Sequence, residues 1–174
     1  MARHFYAAII LFLFLFCFSF TAADAQSVTA NDLINLINGM RSANGLGALS
    51  VDYSLMACAQ ATAETMAASH MTWHIGNVSG RASSFGYNNY NTCFATENFM
   101  MGSSATTIGQ IQASWSDASH MIPAQSSSYC HIGAGVATGS DGSMYFVVQA
   151  AYPAGVAGCG FIKSTGSYAD SSGS

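Results

Sequence analysis

Apolar positions along the chain recur with two periods. From Thr29 onward, Leu33, Leu36, Ile37 and Met40 fall at helical spacing until Asn44-Gly45 stops them. Thr29 with Asp32 three residues later has the form of a capping box, so a first helix begins there. A second helix follows Asp52, its expected cap. Leu55, Ala59, Ala63 and Met66 share one face, the small alanines permit close packing, and the pattern ends near Ser69. From His70 to Asn91 no period is sustained and Gly, Ser, Asn and Tyr dominate, which predicts a long surface loop. Ile108, Ile111, Gln112 and Trp115 predict a third helix over 108–115. Tyr129 to Val136 and Ser143 to Ala151 read as two antiparallel strands joined by a turn at Ser140-Asp141-Gly142. Helices first, then a loop, a helix and strands, favour a layered α+β domain over a doubly wound one.

Ahead of this pattern, Arg3 and His4 precede an almost unbroken apolar run from Ala7 to Phe20, and Ala23-Asp24-Ala25 places small residues at the two positions a signal peptidase reads. Residues 1–25 therefore read as a secretory signal; the run falls short of the ~20 residues that span a bilayer. No second apolar stretch suggests a membrane span. The last residues, 161–174, read as a flexible tail, leaving 26–160 as one domain.

Only 7% of the 174 residues are charged, with Lys and Arg numbering 4. So few scattered cations cannot neutralise a row of phosphates, which excludes nucleic acid as a partner. Cys17 leaves with the signal. Cys58, Cys93, Cys130 and Cys159 remain, an even number that predicts two disulfides in an oxidising compartment, with three pairings open. Without a close Cys-x-x-Cys pair, a cysteine metal site is not expected. Asn77-Val78-Ser79 is a glycosylation acceptor, which requires Asn77 to be exposed.

The segment Leu36-Ile37-Asn38 to Met40-Arg41, then Gly45-Leu46, Leu49, Asp52, Leu55, Ala59, Ala63 and Met66-Ala67, resembles the opening of the CAP superfamily: the cysteine-rich secretory, antigen-five and class-one pathogenesis-related proteins. His74 and Gly76, Ala95-Thr96-Glu97-Asn98-Phe99, Trp115 with His120, and His131-Ile132-Gly133-Ala134-Gly135 continue the match in order. The resemblance implies a three-layer α-β-α sandwich with a central antiparallel sheet, and a cleft holding two histidines and acidic partners. Carried over, the histidines are His74 and His120 and the first acid is Glu97. The second acid falls on Ala118, and the adjacent Asp117 is the nearest substitute. The longer His-Tyr-Thr-Gln signature of the family is absent, since His120-Met121-Ile122-Pro123 departs from it.

Neutral imidazoles ligate divalent metals, so His74 and His120 with Glu97 offer a weak zinc site open to water. His70, four residues before His74, is the rival for the first position. His131 reads as a satisfied strand residue, and Glu64 as a solvated helix residue. Ser116 or Ser119 with His120 and Asp117 could compose a hydrolase, but neighbours in sequence seldom converge in space and no Gly-x-Ser-x-Gly elbow is present. Met71, Met100, Met101 and Met121 cluster around the candidate site, as an adaptable apolar wall, as soft ligands for copper or as ordinary core. With Phe85, Tyr87, Tyr90 and Phe94 before Glu97, they suggest a secreted protein that binds sterol or fatty acid in an apolar groove beside the His/Glu cleft. A surface interaction module acting on a host or cell-wall partner is the alternative, and a metal-dependent hydrolase a third.

Overall fold

The computed structural model describes residues 27–155. Five helices and four strands follow in the order α1 (Ala30–Ala43), β1 (Ser50–Val51), α2 (Tyr53–Ala68), α3 (Val78–Ser84), β2 (Cys93–Gly102), α4 (Ile108–Ser114), α5 (Ile122–Gln125), β3 (His131–Thr138) and β4 (Met144–Pro153), with a 3-10 turn at Tyr87–Tyr90. The sheet order is β1-β3-β4-β2; β1 runs parallel to β3, and β4 lies antiparallel to both its neighbours. Alternation along the strands sends Ile132, Ala134, Phe146, Val148 and Ala150 toward α1 and Trp115. Tyr145 and Val147 point the other way, against Ala59, Ala63 and Met66 of α2. The result is the expected α-β-α sandwich.

Local chemistry sets the ends of these elements. Thr29 and Asp32 exchange side-chain and backbone hydrogen bonds as a capping box, Asp52 caps α2 by accepting from Ser54 and Leu55, and Thr107 with Gln110 caps α4. Asn38 pairs with both backbone groups of Leu49, closing the turn between α1 and β1. On β3, Gly133 and Gly135 face α2 so closely that a Cβ would lie 2.2 Å from the Leu55 backbone and 2.4 Å from that of Gln60. Where β1 ends, α2 supplies substitutes for a strand: Met56 Sδ accepts from Ala134 N–H, and the Gln60 amide exchanges two hydrogen bonds with Val136.

The loop expected over 70–91 is partly helical. Asn77, at φ +45°, accepts from Gly80 N–H and starts α3, and Gly86 precedes the 3-10 turn. Both segments are too short to display a period. The apolar pattern does not predict β2 either: Glu97 and Asn98 stand in its middle and interrupt a strand-like run, yet both are buried by the contacts described below. Among the described residues no helix is long and apolar enough to cross a membrane.

The signal segment, the 161–174 tail and Cys159 lie outside the described residues. Cys58 and Cys93 are buried free thiols, correcting the expectation that all four cysteines pair, while Cys130 is disulfide-bonded. Cys58 faces the polar cluster of the site and Cys93 sits among Leu55, Ala82, Tyr87 and Ala151, so each thiol is enclosed by its own surroundings.

Candidate functional site

Strand β2 places consecutive side chains on opposite faces of the sheet, and the candidate site is built around that alternation. Glu97 points to the α2 side. Its side chain is 1% exposed, and both its oxygens are engaged: Oε1 accepts from His74 Nδ1 at 2.9 Å, and Oε2 from Arg81 Nη2 at 2.7 Å and Gln149 Nε2 at 2.8 Å. Because a carboxylate only accepts, Nδ1 is the donor in this pair, and in the neutral ring Nε2 is left as an acceptor. The ring is 43% exposed and rests edge-on against Phe99 at 4.8 Å between centroids.

Arg81 is fixed as firmly as the acid it pairs with. Its Nε donates to Gly76 O at 2.9 Å and Nη1 to Thr62 Oγ1 at 2.5 Å. Thr62 also accepts from Gln149 Nε2 at 3.2 Å and donates to Cys58 O at 2.8 Å. The Cys58 thiol lies beside this network, and burial pushes its pKa up, which keeps it protonated and unreactive. Sequence reasoning named His74 and Glu97 but missed Arg81, Gln149 and Thr62. One signal was present: Arg41 and Arg81 are the sole Lys or Arg residues in 27–155, so a buried acid there has few partners to choose from.

Asn98 points to the other face and donates from Nδ2 to His120 O at 2.8 Å. Trp115, fully buried, donates from Nε1 to Phe99 O at 3.3 Å. These two bonds carry the segment with Asp117 and His120 to the strand. Asp117 Oδ1 accepts from the backbone N–H groups of Ser119 and His120, and Oδ2 lies 2.5 Å from His120 Nδ1. The hydrogen bonds from His120, the side chain first, hold the Asp117 carboxyl below the usual range. Asp117 thus serves His120 locally. Ala118, where the second acid was expected, is exposed.

The structure therefore joins His74 with Glu97 and His120 with Asp117. Among the described residues no hydrogen bond or ion pair links one pair to the other. Both imidazoles are oriented through Nδ1 by a carboxylate, an arrangement that suits hydrogen bonding or proton exchange at Nε2. His70 makes a third such pair, 3.2 Å from Asp141, with Ser140 Oγ 3.4 Å from its Nε2, out at the β3–β4 turn. Ser116 Oγ donates to Gln112 O rather than to a histidine. His131 is buried, bonded to Tyr87 Oη at 2.8 Å, and Glu64 is exposed beside Gln60, as expected of each.

A zinc ion at this cleft would draw on the imidazole Nε2 atoms rather than on the Glu97 carboxylate. Glu97 is saturated by one guanidinium, one amide and one imidazole and has no oxygen to spare for a metal, whereas the bond at His74 Nδ1 leaves Nε2 as the nitrogen a metal would use. Among the described residues no group of three or more His, Cys, Asp or Glu side chains is placed to hold a metal. Met71 packs on the α2 side of the sheet, Met100 and Met121 on the α1 side, so they fill two cores rather than one copper site. Asn77 is exposed, as a glycosylation acceptor requires.

Two contiguous hollows run along α1 and share Asn35 and Leu36. One, about 570 Å³, lies between Val28, Leu36 and Ile108 under the 104–107 loop. The other, about 400 Å³, reaches Met40, Gln112, Ser116 and Met121. Neither is lined by His74, Glu97 or the aromatic residues before Glu97. Tyr87 is buried, whereas Phe85, Tyr90 and Phe94 are exposed by 43%, 75% and 52%.

The sequence profile of the cysteine-rich secretory protein family, CAP, matches residues 34–150. No curated protein sequence matches the chain. Among solved structures, an outer surface protein of Borrelia burgdorferi superimposes with a TM-score of 0.59 at 17% identity, over 74% of this chain and 99% of that one. A cysteine-rich secretory protein of Staphylococcus aureus gives 0.50 at 21% identity, over 70% of this chain and 38% of that one. The fold is shared with both, and the profile match across most of the folded part shows that this chain belongs to the CAP family.

Proposed function

We propose that the chain is a secreted protein that binds an apolar small molecule, a fatty acid or a sterol, in the groove along α1. The observation that supports this is the groove itself: two joined hollows of about 570 and 400 Å³, walled by Val28, Leu36, Met40, Ile108 and Met121 and rimmed by Asp32, Asn35 and Gln112. Concave, mostly apolar sites with a few polar groups at the rim are the usual form of small-molecule sites. Met40 and Met121 add unbranched side chains that adapt to an irregular ligand. The groove adjoins the cleft in sequence through Met121, next to His120, but is not part of it.

The test is binding of labelled fatty acid and labelled sterol to residues 26–174, unreduced, with and without chelator. Saturable binding of either is expected, weakened by about tenfold or more when Leu36 and Ile108 are both changed to Asn, since each buries apolar area against the ligand. Chelator should leave the affinity unchanged. No binding at high micromolar protein overturns the reading. The weight then moves to a surface interaction with a host or cell-wall partner, which the exposure of Phe85, Tyr90 and Phe94 favours. Secretion itself is supported by the amino-terminal pattern, by the disulfide at Cys130 and by the named location of the Borrelia protein on an outer surface.

A further inference from the structure

Helix α2 ends in a pattern that ordinarily takes glycine. Met71 N–H donates to Met66 O at 3.0 Å and His70 N–H to Ala67 O at 3.4 Å, the paired closure of a helix whose next residue is left-handed. That residue is His70, at φ +47°. A side chain in this conformation carries a backbone cost that glycine avoids, so the imidazole is kept there against the local preference. The ring lies against the turn between β3 and β4, with Nδ1 3.2 Å from Asp141 Oδ2 and Nε2 3.4 Å from Ser140 Oγ.

The turn is braced on its own account. Gly139 N–H donates to Ser143 O at 2.7 Å and Gly142 N–H to Gly139 O at 3.0 Å. A Cβ on Gly139 would lie 2.9 Å from Asp141 Oδ1 and 3.2 Å from Ala67 O, so the turn sits directly on the end of α2. Asp141 Oδ1 accepts from Ser143 N–H and Oδ2 from Ser143 Oγ, each at 3.0 Å. These bonds, the Ser143 backbone first, with the His70 ring beside them, hold the carboxyl below its usual range and so ionised at neutral pH. Carboxylate, imidazole and hydroxyl stand in the order that activates a serine, each ring nitrogen facing the partner that order requires.

We propose that Ser140, His70 and Asp141 form a second site, a solvent-open nucleophilic serine that cleaves small neutral carboxylic esters. Ser140 Oγ attacks the ester carbonyl as its proton passes to His70 Nε2; the bond to the leaving oxygen breaks, and that oxygen takes the proton. Water then attacks the acyl-serine, giving His70 Nε2 a proton that returns to Ser140 Oγ as the carboxylic acid departs. Ser140 and His70 are the catalytic residues. Asp141 is a positioning residue that orients the ring and stabilises its protonated form, and its charge disfavours anionic esters. The His70 and Asp141 side chains are 47% and 50% exposed, which leaves the approach open. The site is separate from the groove along α1, and neither reading depends on the other.

The test is labelling of residues 26–174 by a fluorophosphonate probe, mapped by mass spectrometry of the digested chain, together with hydrolysis of para-nitrophenyl acetate. An adduct on Ser140 is expected. His70→Gly removes the ring while suiting φ +47°, so it should fold at least as stably as the parent and still lose about a hundredfold in labelling rate, as the loss of a positioned base entails. Ser140→Ala, at an exposed position, should lower ester hydrolysis about tenfold or more. Among the described residues Asp141 is the sole charged side chain paired with His70. In Asp141→Asn the acid limb of the pH profile should therefore move to lower pH, which a carboxylate that merely shaped the turn would leave in place. No adduct at Ser140, an adduct that forms as fast in His70→Gly, or ester hydrolysis that survives Ser140→Ala because an imidazole acts alone, overturns the proposal. So does an acid limb unmoved in Asp141→Asn.

Discussion

Both arginines between residues 27 and 155 are withdrawn from solvent, and they do different work. Arg81 neutralises Glu97, whereas Arg41 donates to the carbonyls of Gly47, Pro123 and Ser126, tying α1 to the chain around α5, and burial lowers its pKa. Neither use leaves a periodic signature, which is why sequence reasoning identified the histidines and Glu97 but not the cation beside them. His131 shows the same principle for an imidazole. Burial, opposed by Asp52, lowers its pKa below the unfolded value of about 6.5, so the native state binds fewer protons than the unfolded one. Its contribution to stability is complete above that value and is lost as pH falls toward the folded pKa. Denaturant midpoints should therefore drop between pH 7.5 and 5, and His131→Gln should reduce that drop. The two free thiols give a further check. Alkylation of the unfolded, unreduced chain should modify Cys58 and Cys93 and spare Cys130, as peptide mapping would show.

Elements were legible where a period ran long enough to be seen. α1, α2, α4 and the β3–β4 hairpin lie within a residue or two of their expected positions because each carries a cap or turn residue as well as an apolar face. α3 and β2 were not, for opposite reasons: seven residues rich in Ser, with Gly and Arg among them, give a helix too little pattern, and β2 puts its polar residues inward, where only their partners explain them. The contact of α2 with β3 rests on the absence of side chains. Gly133→Ala would place a methyl group 2.2 Å from the Leu55 backbone, with no flexible side chain to give way. A loss of about 1–3 kcal/mol or more is expected, read from the urea midpoint, with α2 rather than α1 losing amide protection first.

At the scale of the molecule, the sandwich separates two potential sites. The groove lies on the α1 side, and the Glu97 network on the α2 side, with β2 and β4 between them. The family resemblance anticipated the fold, while the methionines and aromatic residues near Glu97 in sequence set the expected apolar groove beside the cleft. Strand alternation divides them. The two edges of the sheet carry one more consequence. On β3 the backbone beyond β1 is occupied by Met56 and Gln60; on β2, Ala95 N–H is taken by Ser79 Oγ and Phe99 O by Trp115. A foreign strand arriving at either edge would find these rungs already filled, and would have to evict side chains rooted in the helices before it could pair. At these rungs the sheet is closed to growth by strand addition.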